Sequence, residues 1–120
     1  MDVLMQTPAA KVELHTFQND GVPPQQGNEY VSMAGCTAVS ALIVDKILYV
    51  ANAGDSRAVL CRNGQAIAMS NDHKPECQEE LDRILAAGGT VIEGRVNGNL
   101  NLCRSLGDFE YKSDASLTPE

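Results

Sequence analysis

Residues 37–44 read TAVSALIV and residues 47–53 read ILYVANA, with only Asp45-Lys46 between them. Two apolar, β-branched runs joined by two residues have one way to pair. They must run antiparallel, because a parallel crossover takes about a dozen residues or more. TAVSALIV is apolar nearly throughout, which is the pattern of a strand covered on both faces. The texture then repeats: SRAVLC at 56–61, a turn at Arg62-Asn63-Gly64, and QAIAMS at 65–70. Asn-Gly is the strongest short hairpin signal. Such short links predict a four-stranded antiparallel meander.

The next stretch, NDHKPECQEELDRILAAGG at 71–89, changes period. Pro75 suits a first helical turn, and Glu76, Glu79 and Glu80 crowd the end where the helix dipole favours acids. Leu81, Ile84 and Leu85 recur at helical spacing and Gly88-Gly89 stop the run, which predicts a short amphipathic helix of about three turns. Residues 90–112 mix short extended pieces with Gly98 and Gly107. At the other end, residues 16–32 are rich in Gln, Asn, Gly and Pro, so residues 1–34 read as a variable tail or insert, disordered in part. Within them, KVELH at 11–15 alternates weakly and is expected as an edge strand. No internal repeat is visible.

A chain of 120 residues makes one domain or a piece of one. Nine basic and sixteen acidic side chains give a formal charge of −7, a field that repels phosphate backbones and anionic lipid. Nucleic acid and membrane surfaces are therefore excluded as partners, and no apolar run reaches transmembrane length. Cys36, Cys61, Cys77 and Cys103 form no C-x-x-C pair, and the N-terminal residues lack a signal-peptide pattern. These features predict free, mostly buried thiols in a reducing compartment.

Asp55 interrupts two runs of small and β-branched residues in ANAGDSRAVL (51–60). Gly54 lets the backbone turn there, which puts Asp55 at the mouth of the sheet. A carboxylate in that place caps turn amides or ligates a hard divalent cation. His73 is a second candidate, as a general acid or as a structural turn residue. His73-x3-Cys77 with Cys61 or Cys103 has zinc-ligand chemistry but unconvincing spacing.

The string Gly35-Cys36-Thr37-Ala38, then ANAGDSR, then Asp72-His73-Lys74-Pro75, resembles the protein phosphatase 2C family of metal-dependent Ser/Thr phosphatases. So do the Ala87-Gly88-Gly89 helix end, RVNGNL at 95–100 and RSLGDF at 104–109. The combination of VANAGDSR with GRVNGNLNL is similar to the gamma-type isoform. The resemblance covers about 35–112 and implies an α+β fold: an antiparallel meander plus a flap helix, part of a β-sandwich flanked by helices. Residues 35–120 would be the central portion of the domain, with the flap at about 70–107. It further implies phosphoprotein substrates, a Mn²⁺ or Mg²⁺ centre, and Asp55 as a metal ligand; cytoplasmic or nuclear localisation follows.

The family's acidic pair, its Asp-Gly-His-Gly segment and its Asp-Gly-x-Trp-Asp segment have no counterpart among these residues. The resemblance therefore assigns no catalytic residue here and implies that the 120 residues alone are inactive. Arg95 and Arg104 are expected to pair with internal carboxylates such as Asp108, and the acidic helix face to be solvated. The alternative to an enzyme is a non-catalytic truncated module that binds a partner, or self-associates through open sheet edges.

Overall fold

A computed structural model describes residues 1–22 and 34–118. These residues form two compact units, one of residues 1–22, 34–36 and 106–118, the other of residues 37–105.

In the first unit, helix α1 spans Asp2–Met5 and helix α2 spans Pro8–Gln18. The weak strand expected at 11–15 is thus helical, and residues 1–22 are not an unstructured tail. The start signal is local: Thr7 is the N-cap, its Oγ1 accepting from Ala10 N at 3.3 Å, and Pro8 fills the first helical turn. Between these signals and the end of α2 lie Ala9, Ala10, Lys11, Glu13 and Leu14, all good helix formers. The remainder of the expected tail, 23–33, lies outside the described residues. Strand β1 (Gly35–Cys36) pairs antiparallel with β8 (Leu106–Gly107), and a 3-10 helix follows at Phe109–Lys112. Asp2 ties α1 into this unit, accepting from Gly107 N at 3.0 Å and Lys112 Nζ at 2.5 Å. Burial would raise the Asp2 carboxyl, but these bonds and the Lys112 charge hold it below the ordinary range.

The second unit begins with the expected hairpin. Strand β2 (Ala38–Val44) pairs with β3 (Ile47–Ala53) in the register Val44↔Ile47. Asp45 and Lys46, at φ 49° and 69°, form the two-residue turn, whose twist matches that of the strands. Strand β4 (Val59–Arg62) pairs with β5 (Gln65–Ala68) across Asn63 and Gly64, at φ 52° and 75°. The four strands do not form one meander: β2–β3 and β4–β5 are separate two-stranded sheets. Ala58 extends the second hairpin, its N–H donating to Ser70 Oγ at 2.8 Å and its carbonyl accepting from Met69 N at 2.9 Å. β2 is also not covered on both faces, since six of its seven residues are exposed, Ile43 by 73 %.

Helix α3 (Gln78–Ala86) follows, then the short pair β6 (Val91–Ile92) and β7 (Arg95–Val96). Pro75 lies fully buried in the turn before α3, not within its first turn. The end follows the Gly-Gly signal: Gly88 takes φ +78° and donates to Leu85 O at 3.0 Å, while Gly89 donates to Ile84 O at 2.9 Å. This pair of bonds is a Schellman motif. The inward face differs from the leucine pattern. Ile84 is 6 % exposed, Leu81 is half-buried and Leu85 is 53 % exposed. The thiols also depart from expectation: all four are free, but Cys36, Cys61 and Cys77 are exposed.

Ile84 is the one buried large apolar side chain among the described residues. Ile84→Ala should cost about 2–3 kcal/mol, a site with neighbours on few sides standing at the low end of such truncations. Leu85→Ala should cost less than about 0.5 kcal/mol. Urea titration of the two variants checks the difference.

Candidate functional site at the Gly54 turn

Three segments of the second unit converge on Gly54: the end of β3, residues 70–77 and residues 103–104. Gly54 takes φ +107°, a conformation that only glycine adopts without strain. A Cβ there would collide with the Thr37 side chain and lie 2.8 Å from Arg104 O. His73 grips this residue from the other side. Its backbone N–H donates to Gly54 O at 3.0 Å, and its Nδ1 lies 3.1 Å from Gly54 N. Asn52 Nδ2 also donates to Gly54 O, at 3.0 Å, and to Asn71 O at 2.8 Å. Nδ1 lies equally close to Gly54 O, at 3.1 Å, but that oxygen already has two donors, so Nδ1 is assigned as the acceptor of the Gly54 N–H. His73 is therefore built into the backbone clasp. Asn52 Oδ1 is buried and has no donor among the described residues.

Beyond Gly54 the polar side chains pair one by one. Thr37 Oγ1 and Ser56 Oγ share a hydrogen bond of 2.6 Å. Lys74 Nζ donates to Asp55 Oδ2 at 2.5 Å, and this bond raises the Lys74 ammonium above its ordinary range. Arg57 makes a fork to Asp72, Nε to Oδ1 at 2.9 Å and Nη2 to Oδ2 at 2.8 Å. The fork holds the Asp72 carboxyl below the usual range. The turn after β3 is thus laced to residues 70–74 by alternating charges: Asp55 to Lys74, and Arg57 back to Asp72.

A second anchor holds residues 103–104. Glu80, 3 % exposed, accepts from Arg83 Nη2 at 2.6 Å and from Arg104 Nε at 2.7 Å. Arg83 Nη2 also donates to Cys103 O at 2.8 Å, and Cys103 N donates to His73 O at 3.2 Å. Burial alone would push the Glu80 carboxyl up; the two guanidinium bonds reverse that and hold it low. Burial, with Glu80 nearby, pushes the Cys103 thiol up to about 11, so it stays protonated and unreactive at neutral pH. Arg104 therefore pairs with Glu80, not with Asp108. The sequence reading missed Glu80 because an acid in a first helical turn looks solvated; a basic residue at Arg104 was the only hint of a partner. Arg95 Nη1 donates to Asn99 O at 2.7 Å.

Asp55 is the carboxylate that the resemblance assigns to metal. Among the described residues no three His, Cys, Asp or Glu side chains converge in a way that could hold a metal ion. Asp55 Oδ2 faces an ammonium instead. A pair of hard divalent cations needs many oxygen donors, so these residues do not fit such a centre by themselves. The zinc grouping of His73 with the cysteines is likewise not assembled. A separate cavity of about 410 Å³ in the first unit, beside Met5, Leu14 and Phe109, has Lys11 and Lys112 as its charged groups and contains no carboxylate or nucleophilic thiol.

Comparison with known proteins gives the class. Residues 9–120 match the family model for protein phosphatase 2C. The chain belongs to the protein phosphatase 2C family. It is 55 % identical over 119 residues to "Probable protein phosphatase 2C 3" of Paramecium tetraurelia, an alignment covering 99 % of this chain and 37 % of that protein. It is 54 % identical over 117 residues to "Protein phosphatase 2C 1" of the same organism, covering 98 % and 37 %. Against "Protein phosphatase 2C homolog 2" of Hypocrea jecorina it is 59 % identical over 88 residues, covering 73 % and 20 %. The chain thus spans little more than a third of the length of the Paramecium relatives.

Because the folded Glu80 carboxyl lies below its unfolded value, its contribution to stability is complete above about pH 4.5. That contribution is lost as pH falls through the lower folded value. Glu80→Gln should cost about 2 kcal/mol at pH 7, less than a fully buried pair because Arg83 and Arg104 can rehydrate. It should also flatten the acid limb of the stability profile. Urea midpoints measured from pH 3 to pH 7 check both.

Proposed function

We propose that this chain is part of an enzyme that hydrolyses phosphoserine and phosphothreonine on protein substrates with the help of Mn²⁺ or Mg²⁺. The observation that carries this reading is the Gly54 turn. There a carboxylate, Asp55, is held at the end of a sheet by a backbone clasp, within a chain that matches phosphatases over residues 9–120. Bound divalent ions in such enzymes supply an activated water and neutralise phosphoryl charge. Asp55 is the residue of this chain we assign as a ligand in that assembly. We further read residues 70–107 as a flap beside the site and the chain as gamma-type, on the strength of VANAGDSR and GRVNGNLNL. Four free thiols support a reducing location, cytoplasmic or nuclear. No helix among the described residues is long and apolar enough to cross a membrane.

One carboxylate paired with a lysine does not activate water, so we derive no hydrolytic step from these residues acting alone. A specific observation favours a second role for the isolated chain. Val39, Leu42, Ile43 and Val44 of β2 and Ile47 and Tyr49 of β3 are exposed, on both faces of one hairpin. Such a surface favours strand addition and self-association.

Both readings are tested on one preparation. With Mn²⁺ and a phosphothreonine peptide, the chain should release no phosphate above buffer, and sedimentation velocity should show association that grows with concentration. Phosphate release by the chain that falls in Asp55→Asn would mean that a competent centre forms from these residues, contrary to the reading of an incomplete site. A monomer at all concentrations would remove the second reading.

A further inference from the structure

The sequence holds two Asn-Gly pairs, Asn63-Gly64 and Asn97-Gly98, and all four residues are exposed. They also share a backbone conformation: φ is 52° and 75° in the first pair, 50° and 74° in the second. A glycine puts no side chain in the way of its own amide nitrogen, so sequence and local backbone give both pairs the same access to an attack on the asparagine amide. Their hydrogen bonds differ. Gly98 N–H donates to Arg95 O at 3.2 Å. Asn97 Oδ1 accepts from Thr90 N at 3.0 Å, with Thr90 Oγ1 a second donor at 3.4 Å. Asn97 N–H is held as well, by Thr90 O at 2.8 Å. At the other pair, neither the Asn63 side chain nor the Gly64 N–H has a partner among the described residues, and nothing lies within 4 Å of where a Gly64 Cβ would stand. Asn63 and Gly64 form the tip of β4–β5, four exposed residues on each side in a two-stranded sheet of its own. A hairpin of that size is marginally stable, so its tip opens readily.

We propose that Asn63 is a site of spontaneous covalent modification, its side-chain amide hydrolysing to a carboxylate and in part to an isoaspartyl link, and that the bonds at Asn97 spare the identical dipeptide there. Asparagine is among the thermolabile side chains. Base removes the Gly64 N–H proton, and the nitrogen bonds to Asn63 Cγ. The Cγ–Nδ2 bond breaks, Nδ2 takes up a proton, and ammonia departs, leaving a five-membered imide. Water then adds to one of the two imide carbonyls. Opening at the main-chain carbon–nitrogen bond that formed last restores the original backbone as aspartate; opening at the other carbonyl gives isoaspartate, whose backbone is one methylene longer. One water is consumed and one ammonia released, with no oxidant, reductant or metal. Both products add a negative charge. The isoaspartyl link also destroys the two-residue loop whose positive φ values set the Arg62↔Gln65 register of β4–β5. The inference is independent of the phosphatase reading.

The test is ageing of the full chain in mildly alkaline buffer, with peptide mapping by mass spectrometry at intervals. Each conversion adds one dalton, and fragmentation assigns it to a residue. In the folded chain Asn63 should convert about tenfold faster than Asn97, because reaction at 97–98 first requires loss of the bonds to Gly98 N and Asn97 Oδ1. In guanidinium chloride sufficient to unfold the chain, the two rates should come together. Equal rates in the folded chain would overturn the inference, as would a folded chain in which Asn63 stays intact while the unfolded chain converts at both positions. The structural consequence is read by amide exchange on the aged chain. Molecules carrying isoaspartate at position 63 should exchange faster across β4–β5 and unchanged across β2–β3; unaltered protection of β4–β5 in those molecules would overturn the assigned loss of the loop.

Discussion

The backbone of one glycine bears the load of the second unit. Gly54 turns the chain at φ +107°, and its N–H and C=O are both taken by His73, with Asn52 a further donor to the carbonyl. Each such bond contributes only about 1 kcal/mol net. Their joint effect is geometric: residues 52–54 and 71–73 cannot move independently. Asp55, Ser56 and Arg57 follow directly, so their side chains leave from a fixed base and find Lys74, Thr37 and Asp72. A methyl group on Gly54 would meet Thr37 and Arg104 O together, so the same point also sets how closely residues 103–104 approach.

With little apolar surface buried among its described residues, this unit depends strongly on the polar lacing. Ile84 alone supplies a buried large apolar side chain among the described residues, while Glu80, beside it on the inward face of α3, is more deeply buried. An isolated carboxylate in that position would be costly, and its two arginines offset the desolvation. The Glu80 cluster and the Gly54 clasp meet at residues 103–104, through Arg83 to Cys103 O and Cys103 N to His73 O. The helix is thereby coupled to the turn that carries Asp55. The exposed faces of β2 and β3 are the complement of this arrangement: TAVSALIV has the pattern of a covered strand, and the described residues do not cover it.

Much of this was legible in residue order, for identifiable reasons. Hairpins β2–β3 and β4–β5 are written locally, in apolar runs separated by two residues that tolerate positive φ. The Schellman end of α3 is written in Gly88-Gly89. Helix α2 was also written locally, in Thr7-Pro8 and the residues after it, but the short alternation of KVELH suggested the wrong period. What could not be read were the long-range pairings. Nothing in the order of residues says that Lys74 reaches back to Asp55, that Arg104 finds Glu80 rather than Asp108, or that β3 and β4 stay unpaired. The first two are decided by tertiary bonds across nineteen and twenty-four positions, and Asp55 Oδ2 meets an ammonium.

The most direct test of this account is amide hydrogen exchange at two positions, Gly54 and His73, measured by NMR in the full chain. Their N–H groups donate to His73 Nδ1 and Gly54 O, so both should exchange as slowly as the central amides of β2–β3, although each lies in a segment with no regular structure. Exchange of both at free-peptide rates while β2–β3 stays protected would contradict the clasp, and with it the placement of Asp55.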